Sequence, residues 1–189
     1  MTGNDIVDIA TAAVESNWQR KGFLQKVFTP QEQLYICSAP ISEQMVWQLW
    51  SMKESAYKLY TRQYGGRFFA PQKLSCTLAT ETTGKVELGK CSYRTNTIVT
   101  KNYIYTTARP AEITHQGFIN SCFILPELKD QRQFVYKKII DCYCSTTGYV
   151  DKNLSILKDK NGIPFLNCGK IQIPVSITHH GHFAGFTIY

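Results

Sequence analysis

The sequence predicts an α+β fold in which an antiparallel β-sheet packs against one long helix. Between residues 42 and 63, apolar side chains recur at helical spacing. Residues 73–125 are rich in Thr, Val, Ile and Tyr and are interrupted by turn signals, which is typical of antiparallel strands. The last forty residues return to this β-like composition. We therefore expect a helix–sheet core with an additional β-rich and helical middle segment.

The amino-terminal part predicts one short strand followed by two helices. Ile6, Val7 and Ile9 favour a strand over residues 4–9, and the Ala-rich residues 10–20 favour a helix. Thr29-Pro30-Gln31-Glu32 has the pattern of a capping box with proline at the first helical position. A second short helix should therefore run to about Ile36.

The clearest element is a helix from Ser42 to about Gln63, which Gly65-Gly66 ends. Its predicted core face consists of Val46, Leu49, Trp50, Ala56, Tyr57 and Tyr60.

About four strands are expected in residues 73–125, and a helix is expected from Glu127 to about Thr147, ending at Gly148. Strands should follow at 154–157, at 164–166 and within 171–189. We expect one domain over residues 1–189, in which segment 76–150 either forms a second half or decorates the sheet.

Composition and charge exclude some classes of protein and favour an anionic partner. The 189 residues are 43% hydrophobic and 13% aromatic, which is enough for an ordered core and argues against disorder. A formal net charge of +7 attracts nucleic acid, an acidic protein or a phosphorylated small molecule, or simply aids solubility. Because the Lys and Arg residues are dispersed, nucleic acid is the weaker choice, although a basic β-rich nucleic-acid binder stays open as an alternative.

The cysteines and the first residues predict a cytoplasmic location. The seven cysteines are odd in number and show no two-residue metal or redox spacing, so we expect reduced thiols. The sequence has no signal-peptide pattern at its start and no apolar run of membrane-spanning length.

Two segments carry candidate metal and phosphate ligands. Asp5, on the first predicted strand, is either a surface residue or a carboxylate that needs a cation. Glu54 and Lys58 are i and i+4 on the long helix, and form either an ordinary surface ion pair or a site in which Glu54 holds Mg²⁺ and Lys58 meets a phosphate.

A third segment, residues 175–182, contains three of the four histidines. Ser176 and Thr178 should share one face of a strand, and His179 should lie on the other. A transition-metal site is one interpretation, but the sequence nearby offers no Cys or acid to complete it. Hydroxyl and imidazole donors to phosphate oxygens are better supported.

Together and in this order, these segments resemble the 4′-phosphopantetheinyl transferase superfamily, and most closely its holo-acyl-carrier-protein synthase branch. The resemblance covers residues 1 to about 75 and 154 to 189. The matching segments are Gly3-Asn4-Asp5, Phe28-Thr29-Pro30-Gln31-Glu32, Lys53-Glu54-Ser55-Ala56-Tyr57-Lys58, the turn at 159–164, and Ser176-Ile177-Thr178-His179. The sequence departs from the family pattern at Val7, where two-domain members have a second acid, at Leu49, where an arginine is usual, and at Ile163, where a basic residue is common.

The resemblance implies a phosphopantetheinyl transferase-like fold and a Mg²⁺-dependent enzyme of the holo-acyl-carrier-protein synthase type. Such an enzyme moves the 4′-phosphopantetheine arm of coenzyme A to a serine of an acyl or peptidyl carrier protein, as used in fatty acid or polyketide biosynthesis, and releases adenosine 3′,5′-bisphosphate. It implies Asp5 and Glu54 as metal ligands and Glu54 and Lys58 as catalytic residues. It also implies that coenzyme A is bound by Lys53, Lys58, Ser176, Thr178 and His179.

The implied partners are the carrier protein and coenzyme A, with neither nucleic acid nor membrane. Short relatives form trimers with the site between subunits, and two-domain relatives build it within one chain, so trimer and monomer both stay open. A non-catalytic module that binds coenzyme A or a carrier protein is the alternative, because the arginine position is Leu49.

Overall fold

Two antiparallel sheets of five strands each organise the molecule. The computed structural model describes residues 1–66, 68–113, 117–127, 130–149, 153–169 and 171–189. In the first sheet the strand order is β1-β5-β4-β3-β2. Its strands are β1 (Gly3–Asp8), β2 (Ser75–Leu78), β3 (Thr83–Leu88), β4 (Cys91–Val99) and β5 (Tyr103–Pro110).

Four α-helices connect β1 to β2. They are α1 (Ile9–Glu15), α2 (Phe23–Val27), α3 (Pro30–Ser38) and α4 (Ser42–Tyr64). The predicted capping box is present at α3, where the Thr29 hydroxyl accepts a hydrogen bond from the Glu32 amide at 3.3 Å and Glu32 Oε2 accepts one from the Thr29 amide at 2.7 Å. The long helix α4 also begins where predicted and ends with Gly65 as its cap. The first helix ends at Glu15 and is therefore shorter than the helix that was predicted over residues 10–20.

The second sheet has the order β6-β10-β9-β8-β7 and is packed against one helix. Its elements are β6 (Ile119–Ile124), α5 (Gln131–Thr147), β7 (Ser155–Lys158), β8 (Pro164–Cys168), β9 (Ile171–His180) and β10 (Phe183–Ile188). Helix α5 begins at Gln131 with Asp130 as its cap, and residues 128 and 129 of the predicted helix lie outside the described residues. Segment 76–150 is therefore shared between the sheets.

The two sheets repeat one topology. The hairpin of β4 and β5 pairs Val99 with Ile104, and the hairpin of β9 and β10 pairs His179 with Ala184, so the paired residues are equally far apart along the chain in the two hairpins. The first strand of each set, β1 or β6, lies antiparallel beside the last, β5 or β10. The α+β fold class predicted from the sequence is confirmed, with two sheets in place of one.

Each sheet has its own helix-covered core, and the two sheets meet through a third cluster. Helix α4 buries Leu49, Met52 and Ala56 against the first sheet. Between the sheets, Ile6 and Tyr105 pack against Phe183, and the Tyr105 hydroxyl donates to the carbonyl of Phe186 at 3.0 Å. Strand β1 thereby lies along β9 and β10 of the other sheet.

No disulfide joins the seven cysteines, all of which lie within the described residues. Within the described ranges, the longer helices are too polar or too short to cross a membrane.

Candidate active site

A cavity of about 430 Å³ lies where the first sheet meets the end of β9. Strand β1, helices α1, α2 and α4, and the last residues of β9 all contribute to its wall. Its apolar lining includes Trp47 and Trp50 of α4. The charged and titratable lining residues are Asp5, Arg20, Lys26, Glu54, His179 and His180.

Asp5 is held through only one of its two carboxylate oxygens. Oδ1 accepts hydrogen bonds from Lys58 Nζ at 3.0 Å and from the Thr178 hydroxyl at 3.2 Å. Oδ2 is buried and has no hydrogen-bond partner among the described residues. A buried carboxylate oxygen without a donor is costly, so this atom is suited to a cation or a donor supplied by a ligand.

Glu54 reaches the same cavity from α4, and its ionisation is opposed there. Burial, and secondarily the negative charge of Asp5, raise the pKa of Glu54 to about 7, although Lys58 works in the opposite direction. The i,i+4 neighbour Lys58 bonds to Asp5 and to the carbonyl of Asn4, both at 3.0 Å, rather than to Glu54. A strand carboxylate and a helix carboxylate thus face the same space.

The donor set fits one hard divalent cation. Two neighbouring carboxylates, one with an unpartnered buried oxygen and one that is reluctant to ionise alone, would both be relieved by a positive charge. The described part of the chain has no group of three or more His, Cys, Asp or Glu side chains placed to hold a metal. Two carboxylates with water and phosphate oxygens are the ligands that Mg²⁺ commonly takes, whereas structural zinc needs more protein ligands.

Lys53, which was expected to contact the coenzyme, lies in a different environment. Its side chain is only 2% exposed and forms an ion pair with the buried Glu32 at 2.8 Å. Its ammonium also donates to the carbonyls of Pro71 at 2.9 Å and Leu74 at 2.6 Å. All three ammonium hydrogens are therefore used inside the protein, and none is left for a coenzyme.

The three candidate residues of β9 are divided between two environments. Ser176 and Thr178 are buried on the face toward β1, and the Thr178 hydroxyl accepts from the Ile6 amide at 3.3 Å while donating to Asp5. His179 is exposed on the opposite face, as the strand alternation predicts. Thr178 therefore orients a carboxylate, and only His179 borders the cavity.

The turn after β9 is fixed against the start of α1 by Asp8, which the sequence argument did not identify. The Asp8 amide donates to His180 Nδ1, and Asp8 Oδ2 accepts from the His182 amide, both at 2.9 Å. Burial opposes ionisation of Asp8, but the backbone donors of His182 and Thr11 prevail and lower its pKa. A Cβ at Gly181, which has φ of +53°, would clash with the Asp8 carboxylate, so only glycine fits this turn.

A second cavity, of about 500 Å³, lies between α5 and the second sheet, and His179 borders both cavities. Val135, Tyr136 and Ile177 form apolar walls. Among the described residues, the basic side chains Arg132 and Lys158 also line it and no acidic side chain does.

Sequence reasoning missed several residues of these cavities. Arg20 lies in a bend and Lys26 in the five-residue helix α2, which is too short for a periodicity to specify its orientation. The indole nitrogen of Trp47 is buried and has no hydrogen-bond partner in the described structure. Trp47 lines the first cavity, and helical spacing on the same face of α4 as Glu54 and Lys58 is the signal that could have identified it.

Comparison with known families gives one result. Residues 1–114, which are more than half of the chain, match the family model described as the 4′-phosphopantetheinyl transferase superfamily. The matched part contains Asp5, Glu54 and Lys58, whereas His179 lies beyond it. No curated protein matches the chain at a significant level.

Proposed function

This chain belongs to the 4′-phosphopantetheinyl transferase superfamily, and we propose that it moves the 4′-phosphopantetheine arm of coenzyme A to a serine of an acyl or peptidyl carrier protein with the help of Mg²⁺. Phosphopantetheinyl transfer in general follows from membership of the superfamily. The holo-acyl-carrier-protein synthase type, the metal and the residue roles are part of the proposal. The observation that supports it best is the pair Asp5 and Glu54 in one cavity, with an unpartnered buried oxygen and a raised carboxyl pKa.

Coenzyme A would extend across both cavities past His179. The cavity beside α5 offers apolar walls for a base and the cations Arg132 and Lys158 for a phosphate. The pyrophosphate would then lie in the first cavity, where Arg20 and Lys26 add positive charge. In this arrangement His179 would contact both the nucleotide end of coenzyme A in the second cavity and the pyrophosphate in the first.

Asp5 and Glu54 would hold Mg²⁺, which when bound supplies positive charge against the negative charge that develops on the pyrophosphate. Lys58 uses two ammonium hydrogens on Asp5 and Asn4, so its third can donate to a phosphate oxygen. Lys58 would thereby orient a carboxylate and stabilise the leaving phosphate.

The chain also has a group, Glu54, that can accept the proton of the carrier serine hydroxyl. The serine oxygen of the carrier would bond to the β-phosphorus, and the phosphoanhydride bond would break to release adenosine 3′,5′-bisphosphate. The hydroxyl proton would pass to the Glu54 carboxylate, directly or through a water that it orients. Burial raises the pKa of Glu54 to about 7 in the metal-free protein, and the charge of a bound Mg²⁺ would lower it, so Glu54 would be ionised and able to accept the proton.

We also propose that one chain forms a complete site, which favours a monomer over the trimer of short relatives. Asp5 comes from the first sheet, Glu54 comes from its helix α4, and His179 comes from the second sheet, as expected for two equivalent halves. Mass measurement in solution tests this point, and activity found only in a trimer would contradict it.

A non-catalytic module that binds coenzyme A is the second candidate. Leu49, at the position where the family usually has an arginine, is fully buried in the core and offers no phosphate contact. Calorimetry separates the two functions: coenzyme A binding that is indifferent to Mg²⁺, with no product formed, would favour the module.

The direct test incubates the chain with coenzyme A, Mg²⁺ and several apo carrier proteins and follows the added arm by intact mass. We expect transfer by the wild type, loss of transfer in Glu54→Gln, and retention in Glu43→Gln, which removes an acid from the first turn of the same helix. No modified carrier with the wild type, or full activity in Glu54→Gln, would contradict the proposal.

A further inference from the structure

The open face of the first sheet carries a basic groove that is separate from both cavities of the proposed site. Its volume is about 900 Å³, and it lies on strands β2 to β5 with one wall near β6. Residues of β4 alternate in burial: Tyr93 is buried and bonds to Gln63 of α4, whereas Arg94 is exposed. Arg94 therefore points away from α4 and into the groove.

Three cations cross this face in a single row. Lys85 of β3 is the direct cross-strand partner of Arg94, and Arg94 is the direct partner of Arg109 on β5. Directly opposite side chains lie roughly 5 Å apart, so the row spans about 10 Å. Like charges in such positions repel one another and destabilise the sheet.

Little within the described structure neutralises this row. Lys85 is paired with Glu87 at 2.7 Å, but both side chains are about half exposed and the pair is weak. Arg94 and Arg109 have neither an ion pair nor a side-chain hydrogen bond among the described residues. Two guanidinium groups thus present free donors to a concave surface.

The remaining lining complements an organic phosphate rather than a bare anion. Neutral polar groups, from Thr83, Asn96, Thr107 and Asn120, lie in the same groove. Ile98, which is 43% exposed, and Phe118 provide an apolar part. None of the described acidic residues lines the groove.

We propose that this groove binds a phosphorylated small molecule of nucleotide size, with two neighbouring phosphate groups against the cation row and an apolar part near Ile98 and Phe118. Guanidinium groups match phosphate oxygens in a bidentate geometry, which an isolated ammonium cannot. A groove of this volume is within the range of small-molecule sites. The inference does not depend on the proposed function, because Asp5 and Glu54 lie on the α4 side of the sheet.

The test titrates the metal-free chain with inorganic pyrophosphate at constant ionic strength and follows backbone amide shifts by NMR. We expect saturable shifts in β3, β4 and β5 in the wild type and in Glu54→Gln. The double variant Arg94→Gln/Arg109→Gln should bind at this face at least tenfold more weakly. The matched control Lys90→Gln/Lys101→Gln removes two exposed charges from turns of the same sheet and should stay within twofold.

Adenosine diphosphate, as a second probe, should add shifts at Ile98 and Phe118. The replaced side chains are exposed except for Arg109, which is half-buried, and the amide spectra of both double variants report folding independently. Absence of saturable shifts in β3 to β5 up to 10 mM (roughly the weakest affinity of a useful site) would overturn the inference. An equal loss of affinity in both double variants would also overturn it, because net charge alone would then explain binding.

Discussion

The two halves of the molecule share a strand order but differ at the positions that face the first cavity, which contains Asp5 and Glu54. Asp5 pairs with Thr106 on β5, and the equivalent residue of β6, which pairs with Phe186 on β10, is Ser121. In the opposite direction, Val99 of β4 occupies the position that His179 has on β9. The first half therefore supplies the carboxylates and the second half supplies the imidazole. Of the two equivalent junctions, the one between β1 and the end of β9 has both groups, and the one between β6 and the end of β4 has neither a carboxylate nor an imidazole at these positions.

The helical layers differ as well. Helix α4 has 23 residues and buries the cation Lys53, whereas α5 has 17 residues and buries only Val135 and Ile139 among its described side chains. The first layer contains a buried ion pair with Glu32, whereas the second packs mainly through apolar contacts and has no ion pair among the described residues. Repetition of a topology thus fixes where side chains lie, but not which forces hold them.

The largest expected difference between the halves concerns activity. Asp5→Asn should lower transfer roughly 10²–10³-fold, because it removes a charged oxygen from the site. Ser121→Ala, at the equivalent position, should stay within about twofold. Initial rates by intact mass, with circular dichroism to confirm folding, measure both. Comparable losses in the two variants would show that the junctions are not functionally distinct.

The next difference concerns the stability of the helical layers. Lys53→Met should lower the free energy of unfolding by about 3 kcal/mol, because the buried Glu32 carboxylate then lacks its counterion. Lys137→Met, on the exposed face of α5, should change it by no more than about 0.5 kcal/mol. Urea unfolding measures both variants. A wild-type midpoint in Lys53→Met would mean that the ion pair is dispensable.

The smallest difference concerns pH dependence. The pKa of Glu54 in the folded protein, about 7, lies above its unfolded value, so the folded state binds more protons between pH 4.5 and 7. The free energy of unfolding of metal-free protein should therefore fall as pH rises through this window. Glu54→Gln removes this loss and should be more stable than the wild type by about 1–2 kcal/mol at pH 8, with little difference near pH 4.

Urea unfolding at the two pH values measures this effect, with Glu43→Gln as the control that should show none. A wild type that is as stable as Glu54→Gln at pH 8 would contradict the burial of Glu54 beside Asp5.

Local signals in the sequence predicted most of the elements and part of the site. The capping box at Thr29, the extent of α4 and the alternation of β9 depend on residues within a few positions of each other, and all three are present as predicted. The alternation of β9 also correctly placed Thr178 and His179 on opposite faces of the strand. The sequence left open whether segment 76–150 forms a second half or decorates the sheet, because strand order depends on pairing between distant segments.

The sequence by itself determined that Asp5, Glu54 and Lys58 are chemically equipped for a cation and a phosphate, since residue type and helical spacing are local properties. Only the tertiary structure decided that Lys58 bonds to Asp5 and that Lys53 forms an ion pair with Glu32. The tertiary structure also decided that His179 borders two cavities. These outcomes depend on contacts between residues far apart in the chain, and packing of the whole fold selects among the partners that local sequence leaves available.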